Sequence, residues 1–219
     1  MKQRQEVDIR GYSFDEFVSF VFDHETPADG TKSHPWYFDV EVVFDPRRVC
    51  DFYIRLFRSP NFLLGKYSKA QLDQGFWAIH GAAFDCSVQH LIWNAGVSFQ
   101  SRCECVQSMS DLFRHLFATE RLDTAVFMWW DSLCFEWQCG HRDRQRGGED
   151  MLMQDVIFDV LADLLRTESE ICQDAALHGL GHLRHPDTQE LIQNYMSQHR
   201  SLTRERRDYA LAAARFDIL

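Results

Sequence analysis

The feature that most constrains the fold is a six-residue pattern that occurs twice near the end of the chain. Residues 174–179 read DAALHG, and 34 positions later residues 208–213 read DYALAA. Each copy begins with Asp and contains an Ala-Leu pair. Each also has two small residues three positions apart, at 176 and 179 in the first copy and at 210 and 213 in the second. Small residues at that spacing share one helical face, on which a second helix can approach closely. The recurrence therefore predicts helix pairs that stack as in a solenoid.

The sequence around the first copy resembles a known repeat. Residues 176–186 read ALHGLGHLRHP, and Leu191 and Ile192 follow. This phrase resembles a HEAT repeat, in which a first helix ends in an Ala-Leu-Gly-like phrase, a turn holds Pro or Asp, and a second helix carries paired aliphatic residues. The resemblance covers about residues 170–219, with Gly179 where Ala is usual.

A second resemblance concerns the whole chain. It is similar to a family of uncharacterised bacterial HEAT-like proteins that carry an Ala-Leu-His-Gly-Leu-Gly-His phrase near the C-terminus and a Tyr-Ala pair about 30 residues later. Residues 176–182 and Tyr209-Ala210 match those two features. This resemblance implies a helical repeat fold and brings no established activity.

The rest of the chain also has helical signals. Ser13 with Glu16 and Ser68 with Gln71 have the capping-box form, and Pro46 follows a capping Asp45. Only 5 Pro and 11 Gly occur in 219 residues, which suits long helices. We predict an all-α fold, a right-handed α-α superhelix with a HEAT-like solenoid. It forms a single helical domain over 1–219, irregular over 1–140 and HEAT-like over 149–219.

Three segments interrupt the helical pattern. Residues 25–36 contain Pro27, Gly30 and Pro35 and predict a loop, and residues 140–148 are polar apart from their glycines. Residues 37–44 alternate apolar and acidic side chains, as a strand does, but no second clear strand is available to pair with them. We interpret them as an irregular or marginal β segment.

Charge and hydropathy restrict partners and location. The formal charge is −10, from 33 acidic and 23 basic residues, which disfavours nucleic acid and anionic lipid and favours a basic protein partner. Basic clusters at 141–146 and 204–207 are interpreted as a solvated loop and helix face. No signal peptide or run of 18 apolar residues occurs, and the seven cysteines form no regular framework. These features predict a cytoplasmic protein with reduced thiols and no membrane partner.

Four residues form the main candidate metal site. His178, His182 and His185 are spaced H-x3-H-x2-H, and Asp174 precedes His178 by four residues. Residues four apart share a helical face, so two imidazoles and a carboxylate could bind a divalent metal. No Glu stands between the histidines as zinc proteases require. The alternative is structural: packed or hydrogen-bonded histidines of a helical repeat, near a helix C-terminus that favours imidazolium.

Two further groups have a functional and a structural interpretation. Cys103 and Cys105, with Cys139 and His141, could supply four zinc ligands, but their spacing differs from that of common zinc fingers and favours separate thiols. The run Trp129-Trp130-Asp131 is a candidate partner-binding site, and a buried helix seam is the alternative.

The function that these features favour is protein–protein interaction. A small acidic helical protein of this kind suits a bacterial immunity or adaptor protein that covers a basic toxin or nuclease. The alternative is a metal-dependent enzyme that uses the Asp174, His178, His182 and His185 cluster. No nucleophile elbow, phosphate-binding glycine loop or H-E-x-x-H motif occurs, which disfavours an enzyme, and no cofactor beyond a divalent metal is indicated.

Overall fold

Helices dominate the computed structural model, which describes residues 4–26, 34–120 and 122–218. The α-helices are α1 (Phe14–Phe22), α2 (Pro46–Arg58), α3 (Lys69–His80), α4 (Val88–Leu91), α5 (Phe99–Leu112), α6 (Asp123–Phe127), α7 (Trp129–Gln138), α8 (Gly148–Leu165), α9 (Glu170–Leu183), α10 (Thr188–Gln198) and α11 (Arg204–Ala214). Short 3-10 turns lie at Trp36–Phe38, Pro60–Leu63 and Arg144–Arg146, and a π-helical turn at Phe113–Phe117. The predicted all-α class is confirmed.

The helices begin where the capping signals predict. Ser13 Oγ accepts the Glu16 amide, and Glu16 Oε2 accepts the Ser13 amide at 2.7 Å, which completes the capping box of α1. Ser68 and Gln71 form the same pair at α3, and Asp45 caps α2 through the amide of Arg47. Each such cap stabilises its helix by about 1 kcal/mol.

The segment that alternates apolar and acidic residues contains one strand of a two-stranded parallel sheet. Strand β2 (Val40–Val43) pairs with β1 (Gln5–Asp8), with Gln5 opposite Val40 and Asp8 opposite Val43. The β segment predicted near 37–44 is therefore present, and its partner was not foreseen because three of the four residues of β1 are polar and exposed. The predicted loop at 25–36 lies partly outside the described residues, which omit 27–33.

The chain forms two compact units, residues 1–116 and 117–219. The first unit is built around α2, which packs against α5, and around a buried aromatic group. Its fully buried aromatic rings are those of Tyr53 and six phenylalanines, Phe17, Phe22, Phe57, Phe76, Phe84 and Phe113. The Tyr53 hydroxyl donates to the Cys86 carbonyl at 2.9 Å, so the polar end of this ring is satisfied inside the core.

The second unit is organised around α9, which packs against α7, α8 and α11. The two glycines of α9 lie where neighbouring segments approach this helix closely. A Cβ on Gly179 would lie 2.5 Å from Trp130 Cβ, and one on Gly181 would lie 2.3 Å from Ile218 Cδ1 and 3.4 Å from Ala213 Cα. Because residue 179 has no side chain, α7 can pack closely against α9 at that position. The glycine at 181 does the same for α11 and the segment after it. The HEAT-like resemblance itself stays a prediction.

The polar break at 140–148 lies inside the second unit, not at the division between the units. Two of its three arginines are held by acidic residues: Arg142 Nη1 lies 3.1 Å from Asp150, and Arg144 binds Asp155. None of the described helices combines the length and apolar character that crossing a membrane requires.

Candidate metal centre

Three side chains of the second unit converge on one point. Asp131 lies in the first turn of α7, and His178 and His182 lie four residues apart on α9. One ligand atom from each residue lies within 4.8 Å of the other two. The two imidazoles are buried, at 1% and 3% exposure, while the Asp131 side chain is 26% exposed. Two nitrogens and one carboxylate oxygen are a ligand set that divalent transition metals accept.

The surroundings of His178 leave one ring nitrogen available. Its Nδ1 shares a 2.7 Å hydrogen bond with the hydroxyl of Tyr209 on α11. Its Nε2 is buried and has no hydrogen-bond partner among the described residues. The ring of Phe127 covers the imidazole at a centroid distance of 4.2 Å. When Nδ1–H donates to Tyr209, the lone pair of Nε2 faces the cluster, as metal ligation requires.

His182 completes the pair of imidazoles and connects it to Asp131. Its Nε2 lies 3.4 Å from Asp131 Oδ1, without the geometry of a hydrogen bond to any described residue. Its ring stands nearly perpendicular to that of His178, with 4.5 Å between the centroids. Ligands of a tetrahedral ion lie about 3.3 Å apart, so the three side chains would move by roughly an ångström to close on one.

The protonation states suit ligation. Burial, and to a smaller extent the charge of neighbouring His182, lowers the pKa of His178 to about 4. Burial also lowers the pKa of His182, while the Asp131 carboxylate raises it and the Arg184 charge lowers it. Both rings are therefore neutral at pH 7, the form in which imidazole binds a metal.

The other two predicted ligands lie elsewhere in the unit. Arg206 binds Oδ1 of Asp174 through Nε at 2.9 Å and Nη2 at 2.7 Å, which ties α9 to α11. His185 Nε2 lies 3.0 Å from Asp155 Oδ1, and its Nδ1 accepts the amide of Asp187 at 3.2 Å. Both nitrogens of His185 are thus committed, so its role in the described structure is to hold α8 and the turn before α10.

The three side chains of the run Trp129-Trp130-Asp131 lie in two different environments, the two indoles in the core and the carboxylate at the cluster. Both indoles are fully buried, and Trp129 lies 5.8 Å from the ring of Phe117 while Trp130 packs on Gly179. Neither ring is at the surface for a partner to contact, which agrees with the buried helix seam. Asp131 alone of the three reaches the cluster.

The cysteines form no disulfide, and the basic clusters contain ion-paired arginines. Cys103 and Cys105 lie in the first unit and Cys139 and His141 in the second. In the basic cluster at 204–207, Arg206 binds Glu170 as well as Asp174. Acidic neighbours therefore neutralise much of the charge that a nucleic acid would need.

Sequence reasoning identified the two histidines but not their partners. The sequence places Asp131 in a candidate partner-binding run and Tyr209 in the repeat, and neither in a metal site. These residues lie 47 and 31 positions from His178, and no local spacing connects them to it. Only the packing of α7 and α11 on α9 brings them together.

The fold and the cluster define an α-helical protein with a two-histidine, one-carboxylate constellation. No protein family model, no curated protein and no solved structure matches the chain.

Proposed function

We propose that this protein binds one divalent transition-metal ion at Asp131, His178 and His182. The observation that carries the proposal is the convergence of their three ligand atoms within 4.8 Å. This site differs from the set that the sequence suggested, because Asp131 takes the place of Asp174 and His185. Zn²⁺, Fe²⁺, Co²⁺ and Mn²⁺ all accept imidazole and carboxylate together.

Two features of the surroundings support ligation over simple packing. The buried Nε2 of His178 would remain unsatisfied without an ion, and an unsatisfied buried polar group costs about 1–3 kcal/mol. Tyr209 holds the opposite nitrogen, as the hydrogen-bond partners of metal-bound histidines do. An ion would supply the partner that Nε2 of His178 and Nε2 of His182 lack among the described residues.

Elemental analysis of the purified chain tests the proposal. After stripping with chelator, incubation with each ion and removal of excess, we expect about one ion per chain. Asp131→Asn keeps the shape of a half-buried side chain, and we expect it to weaken binding by at least about tenfold. We expect His178→Ala to weaken it by about 100-fold or more, because it removes a ligand.

His185→Ala is the matched control, since it removes a buried histidine from the same region without touching the cluster. Its metal content per folded chain, with folding checked by circular dichroism, should equal that of the parent. Less than about one ion in ten chains for every ion tested would contradict the proposal. Equal loss in the His185 variant would contradict the assignment of ligands.

Replacing Tyr209 by Phe tests the second partner of His178. Loss of the hydroxyl leaves Nδ1 without its hydrogen bond, so we expect metal affinity to fall about 10- to 100-fold while saturating metal still reaches one ion per chain. Tyr195→Phe removes a hydroxyl that binds Gln173 on the other side of α9 and is the control. Competition with a chromogenic chelator measures both affinities, and equal affinities would exclude the role of Tyr209.

A basic protein partner is the second candidate function. Residues 117–219 contain 18 acidic and 11 basic residues, a formal charge of −7, and no Lys. That charge favours fast encounter with a basic protein such as a toxin or nuclease, and cysteines without disulfide bonds suit the reducing cytoplasm. Pull-down at low and at moderate salt tests it, with recovery of a basic protein that weakens as salt rises as the expected result. Recovery of no partner at either salt would contradict it.

A further inference from the structure

A cleft on the first unit combines aromatic and acidic side chains. It has a volume of about 450 Å³ and is lined by Tyr12, Asp15, Glu16, Ser19 and Phe20. Asp15 and Ser19 are four positions apart, as are Glu16 and Phe20, so these pairs follow one side of α1. All five residues are at least partly exposed. The cleft is therefore open to a molecule from outside.

Two aromatic rings supply the apolar part of this cleft. The rings of Tyr12 and Phe20 stand nearly perpendicular, at 86°, with 6.0 Å between their centroids. Phe20 also contacts Trp36, at 5.2 Å, which fixes it to the unit. Tyr12 has no second ring neighbour among the described residues, and its hydroxyl makes no hydrogen bond with them. A partly exposed ring of this kind attracts a cation to its face, because the π-electrons make that face negative.

The charge along this part of the chain is negative. Residues 11–26 contain no Lys or Arg and four acidic residues, Asp15, Glu16, Asp23 and Glu25. Glu16 Oε2 is used by the capping box of α1. The exposed carboxylate of Asp15, in contrast, has no hydrogen-bond or ion-pair partner among the described residues. Burial lowers the pKa of His24, so that ring is mostly neutral at pH 7 and adds little positive charge.

One cation lies beside the cleft and is already engaged. Arg48 on α2 donates to the Tyr12 carbonyl through Nε at 3.0 Å and Nη2 at 2.6 Å, and its guanidinium lies 5.4 Å from the centroid of the Phe52 ring. Arg48 does not line the cleft. Its one positive charge against the two carboxylates of Asp15 and Glu16 leaves a net charge of −1. An incoming cation therefore still meets a favourable potential.

An aromatic ring beside a carboxylate suits arginine better than lysine. A guanidinium is planar, stacks on an aromatic ring and donates two parallel hydrogen bonds to a carboxylate, whereas an ammonium is a compact, strongly hydrated charge. We propose that this cleft binds an arginine side chain of a basic protein, with the guanidinium on the ring of Tyr12 and its N–H groups on the carboxylate of Asp15. This inference rests on the second candidate function, a basic partner, and assigns one of its contacts to the first unit.

A labelled peptide of alternating arginine and glycine is the probe, and fluorescence anisotropy at low and at moderate salt measures its affinity for the whole chain. We expect saturable binding, and weaker binding of the matched lysine peptide. Tyr12→Leu combined with Asp15→Asn removes the ring and the carboxylate, and should weaken binding of the arginine peptide about tenfold.

Tyr12→Phe combined with Glu41→Gln is the matched control. It keeps the ring and removes an exposed carboxylate that does not line the cleft, so its net charge equals that of the first double variant. With the folding of both variants checked by circular dichroism, the control should bind the arginine peptide as the parent does.

Each other outcome contradicts a defined statement. Equal affinities in the two double variants would mean that the peptide binds through overall charge, and the inference fails while a basic partner stands. Equal affinities for the arginine and lysine peptides would contradict the stacked guanidinium. Tighter binding of spermidine than of the peptide would replace the protein arginine by a free polyamine. A parent chain that binds no peptide at low salt overturns the inference, and the pull-down decides separately on the basic partner.

Discussion

Gly179→Ala is expected to lower the free energy of unfolding by about 2–3 kcal/mol, although alanine is the better helix former by about 1 kcal/mol. The added methyl would lie 2.5 Å from Trp130 Cβ and 2.9 Å from Leu161 Cδ2. Trp130 Cβ is fixed to the backbone of α7, so relief requires α7 to move away from α9. That movement would also separate Asp131 from the histidines, and we expect metal affinity to fall.

Gly181→Ala is the matched control two residues further along α9. Its methyl would meet the end of the Ile218 side chain, at 2.3 Å from Cδ1, and this end can rotate away. We expect a change within about 1 kcal/mol in either direction, since relief of the contact and helix propensity oppose each other. Urea denaturation measures both variants. Equal midpoints would show that α7 does not pack on Gly179 as described.

Acidification is expected to destabilise the protein through a buried histidine of the first unit. His80, the last residue of α3, has no exposed surface, and burial lowers its pKa to about 3. The unfolded chain takes up a proton near pH 6.5 and the folded chain only near pH 3, so the free energy of unfolding falls as the pH falls between these values. For this residue alone the loss between about pH 7.5 and pH 5 is about 2 kcal/mol.

His80→Gln isolates this effect because glutamine does not titrate. The variant's loss of unfolding free energy between the two pH values should be smaller than the parent's by about 2 kcal/mol, whatever its stability at neutral pH. His90→Gln is the control, since His90 is an exposed histidine of the same unit. A His80 variant with the parent's full pH dependence would mean that this imidazole is not buried as described.

Local signals in the sequence predicted the helices well because their causes are local. The caps at Ser13, Asp45 and Ser68 depend on residues two or three positions away, and each is present. The hydrophobic pattern predicts the last three helices at 171–184, 187–199 and 202–216. They occupy Glu170–Leu183, Thr188–Gln198 and Arg204–Ala214, which agrees to within two residues.

Features that depend on distant pairing were not predictable in the same way. Strand β2 has a recognisable pattern, but its partner β1 is polar and lies 35 positions earlier. The pair His178 and His182 follows from helical spacing, whereas Asp131 joins them through the packing of α7 on α9. Spacing also suggested Asp174, since it shares a face with His178, but it could not reveal that Arg206 binds that carboxylate.

The separation of the three candidate ligands along the chain affects how metal and folding would be coupled. In a zinc finger the ligands are close in sequence, and the ion organises a chain that is unfolded without it. Here His178 lies 47 positions after Asp131, so an ion would have to close a long loop of disordered chain before gaining its third ligand. Helices α7 and α9 must therefore dock first through their own apolar contacts. The apoprotein should be folded, and the ion should act mainly by slowing its unfolding.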